Sequence, residues 1–403
     1  MATLKRISLP SAEIVFGADN PLAKGRNVAL GVGVVALAAA FLLTLAEPAR
    51  FFASYLVAFL FFLTLALGGL IFVLIQFVTR AGWSVAVRRQ AENLMGTLPL
   101  FVILFLPLLL GLHSLYVWLD AEHVAHDPIL LGKQTYLNAP FFVARSLAYL
   151  LSWAAMAFWL RRQSLRQDED GDTRITRRLQ NVSAPAIVWY AITVTFASFD
   201  WIMSLDPHWH STIFGVYIFS GAFMSALAFL ILQFLIFQRY GLLSNILNLE
   251  HFHDLGKLLF GFVVFWAYIA FSQFLLIWYA AIPEETAWYA HRLAHGWQYV
   301  SILLAVGHFA LPFFLLLSRG AKRNRTVLTA ATIWLLFMHY VDLYWLVMPA
   351  MPGGEFRPHP VDLLAFVGVG GLFLAVLVRL AIRPALVPIR DPRLAESLSF
   401  ENI

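Results

Sequence analysis

Seven polar side chains interrupt long apolar runs and set the chemical question: His113, Arg145, Asp200, Gln273, His308, His339 and Asp342. An ionisable group inside a membrane costs roughly 2.5–3.5 kcal/mol on insertion scales, so each needs a partner or a use. Aspartate and histidine can take up and release protons, arginine can neutralise a carboxylate, and glutamine both donates and accepts. His339 and Asp342 are three residues apart, on one face of a helix, where they can bond each other. Arg145 can pair with Asp200 across neighbouring spans. Two readings stand at this point: static packing pairs, or a proton or substrate site.

Depth bears on the choice. Counting ~1.5 Å per residue from each apolar run's midpoint puts His308 and His339 near the midplane. His113, Arg145, Asp200, Gln273 and Asp342 fall roughly 5–10 Å toward one side by the same rise. On the other side only Gln76, Gln233 and Arg379 approach the edge. The polar interior is therefore expected to open one way, as a half-channel of Asp200, Gln273, His308, His339 and Asp342. Asp362, at the rim of the last run, is the natural comparison for Asp342.

Metal and haem chemistry find little support. The chain has no cysteine, which excludes thiolate iron–sulfur ligation and covalent c-type haem attachment within it. Asp206, His208 and His210 share one turn, His291 and His295 stand beside Glu284 and Glu285, and His123 and His126 lie among Asp120, Glu122 and Asp127. None of these gives a full zinc ligand set. Only His308 and His339 lie deep enough for bis-histidine haem, which needs paired histidines on facing helices. No metal and no cofactor bound by this chain alone are expected.

The elements that must position these groups follow from composition. Of 403 residues 61% are hydrophobic and 13% charged, against roughly 25% charged in soluble domains. Runs long enough to span a bilayer occupy 27–46, 51–77, 98–118, 140–160, 184–205, 213–237, 258–281, 300–317, 327–347 and 361–380. The expected fold is all-α integral membrane with ten transmembrane helices. Residues 82–90 read as a short interfacial segment, 161–178 as a solvated charged loop, and His251, His253 and Asp254 as a helix start.

Of 28 Lys and Arg residues, 22 lie in the two terminal segments (1–26 and 381–403) and the even-numbered loops, and 4 in the odd-numbered loops. Basic residues stay cytoplasmic, so both termini are expected there and the polar interior opens to the outside. Seven tryptophans (118, 201, 209, 278, 288, 297 and 345) form a belt at the outer ends. The basic residues do not form stripes beside aromatics, so nucleic acid is not an expected partner; lipid is.

The chain also repeats. His113 precedes Trp118 by five residues as Gln273 precedes Trp278, and Asp200 precedes Pro207 by seven as Asp342 precedes Pro349. Each pair is four spans apart, which keeps orientation and makes parallel repeats. Spans two to five (from 51) and six to nine (213–347) are expected as two four-helix bundles, with spans one and ten peripheral. Gly215, Gly221, Gly368, Gly370 and Gly371 are expected to permit close helix packing.

Three stretches carry a family likeness: SFDWIMSLDPHWHSTIFGVY (198–217), HDLGKLLFGFVVFWAYIAFSQFLLIWYAAIPEET (253–286) and HYVDLYWLVMP (339–349). They resemble the paired integral membrane subunits of alternative complex III, within the NrfD/PsrC-like family of quinone-interacting subunits. The likeness covers nearly the whole chain, and its length matches the smaller of the two paralogues. It implies a place in the inner membrane of a bacterium, in a quinol:cytochrome c (or high-potential acceptor) oxidoreductase. The implied partners are the larger NrfD-like paralogue and periplasmic iron–sulfur and multihaem cytochrome c subunits, which hold the haem c and iron–sulfur clusters. Quinone, menaquinol among the forms, is the implied small molecule. The position matching the family's quinol site holds His113, Arg145 and Asp200. Both paralogues are associated with proton half-channels, which fits the polar layer. The rival readings are an anchor of a polysulfide- or sulfoxide-reductase-type complex, which a molybdopterin partner would mark, and a secondary transporter, which the parallel repeats also suit.

Overall fold

In the computed structural model, which describes residues 9–17, 20–382 and 384–401, the chain is an all-α multi-pass membrane protein. Lys5, Arg6 and Arg383, which enter the basic count above, lie outside the described residues. Among the described residues ten helices are long and apolar enough to cross a bilayer. They are α1 Pro21–Leu43, α2 Pro48–Val78, α3 Val85–Leu110, α4 Ala139–Asp170, α5 Thr173–Leu205, α6 Phe214–Arg239, α7 Leu249–Ala280, α8 Trp297–Leu317, α9 Arg325–Ala350 and α10 Pro360–Ala381. Each expected run falls on one of them. The segments before α1 and after α10 meet on one face, where Val15 pairs with Ala385 and the Leu386 N–H donates to the Ile14 carbonyl at 2.7 Å. This is the terminal face below; its opposite is the far face.

Helices α2 and α6 form the centre: 94% of the most apolar stretch of α2 and 83% of that of α6 are buried, against 17% for α1. Gly68 lets them cross closely, since a side chain there would overlap the Ala222 carbonyl. Helix α2 packs on α3 and α5, which both pack on α4; α6 packs on α7 and α9, which both pack on α8. Outside them α1 packs on α10, and α10 on α2. The α1–α10 seam is made by glycines: a Cβ on Gly371 would lie 2.5 Å from the Ala29 carbonyl oxygen, and one on Gly33 2.9 Å from that of Gly368. Small residues let two backbones approach in a medium where the hydrophobic effect drives nothing together.

Two stretches correct the sequence reading. Residues 82–90 are not an interfacial segment but mostly the first turns of α3, and every residue of Val85–Met95 is buried. Arg88 pairs with Glu92 (3.1 Å) and Asp391 (2.7 Å), and Arg89 with Asp168 (2.6 Å) and Glu92 (3.4 Å). Ser164 and Arg161 of α4 donate to Glu92 and Asn93 at 2.9 and 3.2 Å. Buried charge is therefore not confined to one side of the midplane; a second layer lies under the terminal face. Nor is 161–178 a solvated loop. Helix α4 runs on to Asp170, Gly171 takes the left-handed conformation (φ 66°), and Asp172 caps α5 by accepting from the Arg174 N–H at 2.9 Å. The expected helix start near His251 is present as α7, capped by Asn248.

The C-terminal tail closes over this layer. Leu386, Val387, Ile389 and Leu394 are buried. Ser397 donates to the Trp83 carbonyl (2.6 Å), and Asn248 to the Phe400 carbonyl (2.7 Å).

Candidate functional site

Each bundle holds one buried aspartate on its fifth or ninth span, and the two differ in how their charge is met. In the first bundle Asp200 is fully buried. The Arg145 guanidinium grips it with two parallel bonds, Nε to Oδ2 at 2.9 Å and Nη2 to Oδ1 at 2.8 Å. Tyr149 adds a hydroxyl to Oδ2 at 3.0 Å. Arg145 also donates to the Tyr136 carbonyl (3.0 Å) and lies over the rings of Tyr136 and Phe141 at 3.8 and 4.1 Å. A bidentate pair in which all three guanidinium nitrogens make a hydrogen bond is a closed arrangement, strong and geometrically fixed.

Asp342, in the second bundle, is also buried, but no cation pairs with it among the described residues. Its oxygens accept from the Tyr217 hydroxyl and, at 3.2 Å, from the Trp266 indole N–H. One turn inward on α9, His339 Nε2 lies 2.9 Å from Thr64 Oγ1 of α2, and its Nδ1 has no partner among the described residues. The ring rests on Gly221, where a Cβ would come within 3.1 Å of it. His308 is wholly buried, both of its nitrogens lack hydrogen-bond partners among the described residues, and its ring sits 4.0 Å from that of Trp266. Asp342, Trp266 and His308 thus follow one another across the bundle, with His339 beside them.

Local sequence explains the place of His308. Helix α8 widens to a π-helical stretch over Leu304–Ala310. Pro312 has no N–H to offer the carbonyl four residues earlier, which is that of His308. The Trp334 indole takes the Gly307 carbonyl at 2.7 Å. Such bulges recur at functional sites.

The remaining sequence candidates are spread out. Gln273 accepts from Ser211 (2.9 Å) and donates to Tyr289 (3.1 Å), at the far end of α7. His113 is exposed and makes no hydrogen bond or ion pair among the described residues, so the structure does not bring it to Arg145 and Asp200. Of the five groups expected along a proton path, Asp200 sits in the other bundle, closed off by Arg145. His339 and Asp342, free to bond each other by spacing, instead reach Thr64 and Tyr217.

Three groups that sequence reasoning passed over complete the picture. Tyr217 and Trp266 read as ordinary core aromatics, because nothing in an apolar run marks a hydroxyl or indole that will face a carboxylate. Arg292 lies on the short far-face helix Pro283–Arg292. It is buried, donates to the carbonyls of Trp345 (3.2 Å), Leu346 (3.0 Å) and Trp288 (3.2 Å), and stacks 3.4 Å over Trp288. Burial lowers its pKa to about 9, against the opposing pull of Asp206 and nearby tyrosines; it remains charged at neutral pH. A cation capping the last carbonyls of α9 complements that helix's dipole. Asp362, expected as a bland rim group, is a hub that accepts from Arg50, Ser54 (2.6 Å) and Tyr344 (3.1 Å).

Among the described residues no three His, Asp or Glu side chains converge as metal ligands. His208 pairs with Asp127 at 2.5 Å and His123 with Asp120 at 2.8 Å, and His210 faces Glu285 at 3.9 Å, so these far-face clusters tie loops together. Comparison with protein-family models finds no match to the chain, and no curated protein matches it.

Proposed function

We propose that the chain is a membrane subunit of a bacterial quinol:cytochrome c (or high-potential acceptor) oxidoreductase of the alternative complex III type, the smaller, ActF-like of its two NrfD-like subunits. Its part is to support quinol oxidation and to carry protons along a half-channel opening on the far face. The excess of Lys and Arg at the other face supports placing the chain ends in the cytoplasm and the half-channel mouth in the periplasm.

The observation that carries this reading is the contrast between the aspartates. Asp200 is neutralised by a bidentate arginine; Asp342 meets only a hydroxyl and an indole, and lies among two histidines with unpartnered nitrogens. A carboxyl without a fixed cation can hold or release a proton with little rearrangement, and imidazole nitrogens without partners can relay it. Buried polar groups left unsatisfied are destabilising, and function is the commonest reason for keeping them inside a membrane. Arg145 and Asp200 are the part of the implied quinone position that stays together; their mutual saturation suits a structural clamp.

Identifying the chains that copurify in mild detergent tests the assignment. Multihaem cytochrome c and iron–sulfur subunits together with a second, larger NrfD-like chain are expected. A molybdopterin subunit, or a chain that purifies alone and transports solute, refutes it.

A further inference from the structure

A groove of about 1190 Å³ runs between the α1–α10 pair and helices α6 and α9. Its walls are apolar, among them Val28, Val32, Phe62, Leu232, Phe337 and Phe366. It follows α10 from Asp362 to Leu374, roughly 18 Å at ~1.5 Å per residue, much of a ~30 Å hydrocarbon core. Water needs two to four polar partners to be held in such a space, and these walls offer almost none. Helix α1, pinned by its glycines to α10, leaves the groove open to the bilayer, with Val28 66% and Val32 48% exposed. Hydrocarbon chains are what the groove can hold.

Its two ends differ in charge. At the far end both arginines are spoken for, Arg50 by Asp362 and Arg357 by Glu355. At the terminal face Gly25 lines the mouth between Lys24 and Arg26. Arg239 lies seven residues beyond Leu232, on the same stripe of α6. Neither Lys24 nor Arg239 makes an ion pair among the described residues, and both are exposed. We propose that the groove binds the acyl chains of an anionic phospholipid from the terminal-face leaflet, with its phosphate held by Lys24, Arg26 and Arg239. The lipid fills the seam between the peripheral helix pair and the second bundle and so holds α1 and α10 in register with α9. This assignment is independent of the proton path and of the quinol reading.

The test uses the full chain with whatever partners copurify, delipidated and returned to nanodiscs of phosphatidylcholine with or without phosphatidylglycerol, and read by native mass spectrometry. Phosphatidylglycerol should be retained over phosphatidylcholine by about 30- to 100-fold, the scale expected of two or three interfacial cations. The double variant K24E/R239E should lose that preference while still carrying neutral lipid. Val32→Trp, which fills the groove from a half-exposed position, should abolish retention of both lipids; if it does not assemble, Leu363→Trp on the same wall serves. Equal retention of the two lipids, an unchanged preference in K24E/R239E, or displacement of phosphatidylglycerol by a prenylquinone would overturn the proposal.

Discussion

Asp200 and Asp342 occupy matching places in the sequence repeat, yet removing their charge should have unequal consequences. Asp200→Asn strands the Arg145 guanidinium in a buried site, and breaking one side of such a pair costs about 3–5 kcal/mol. Asp342→Asn strands no cation and disturbs two neutral donors, a loss of about 1 kcal/mol. Thermal unfolding in detergent should therefore drop markedly for the first variant and little for the second; equal drops would show that Asp342 has a structural cation partner. His308 gives a companion test. Its nitrogens make no hydrogen bonds, so His308→Phe should leave unfolding unchanged or raise it slightly, since apolar replacement of an unsatisfied polar group of like shape is nearly neutral or stabilising. Any effect on proton release would then be chemical. At this scale the sequence showed which residues were out of place in a membrane, because hydropathy exposes a lone Asp or His at once. It did not show their partners. Arg145–Asp200 lay within reach of a guess from span order, whereas Tyr217 and Trp266 announce nothing until three helices meet.

At the scale of elements, ten spans were legible because length and hydropathy decide them, and so was the helix start near His251, which Asn248 caps; the start at Asp172 was hidden in a run that reads as a solvated loop. The charged start of α3 was not. Arg88 and Arg89 read as part of an interface because their partners, Asp391 and Asp168, lie 303 and 79 residues away along the chain. The glycine seam gives a direct test. Gly371→Leu forces a side chain into the backbone of α1, and overpacking of this kind costs about 1–3 kcal/mol; a cysteine pair bridging α1 and α10 should crosslink in the parent and fail in the variant. Unimpaired crosslinking would mean that the seam is not close-packed.

The far-face loop offers a pH test. Desolvation, the largest single influence on Asp127, pulls its pKa up, but the His208 hydrogen bond and the N–H groups of Leu130 and Ile129 together outweigh it and hold the carboxyl below its ordinary value. A lowered carboxylate contributes its full tie above the ordinary value, near about 3.9, and loses it as pH falls through the lower folded value. A spin label at Leu131→Cys should stay immobile at pH 7 and sharpen only below about pH 4, while Asp127→Asn should give the sharp spectrum at both. A label equally mobile in the parent at neutral pH would remove the tie.

For the whole molecule, charge asymmetry predicts which face lies inside. Single cysteines at Asp168 and Asn324 should label only from the cytoplasm and one at Glu285 only from the periplasm, although Asp168, paired to Arg89 and partly buried, will label slowly. Periplasmic labelling of Asn324→Cys in intact cells would invert the topology. Asp342 is the proposed proton carrier in a quinol-oxidising assembly, and the comparison residue decides whether its role can be read. Asp362, an ion-paired hub, is the wrong comparison, since its loss would loosen α2 against α10. Glu285, at the far-face rim, is the better one. The measurement is quinol oxidation and proton release by the assembled complex in liposomes, compared for the parent, Asp342→Asn and Glu285→Gln. All three should assemble equally, with Glu285→Gln matching the parent and Asp342→Asn oxidising quinol more slowly and releasing fewer protons per turnover. Parent rates of both oxidation and proton release in a fully assembled Asp342→Asn complex would contradict the account.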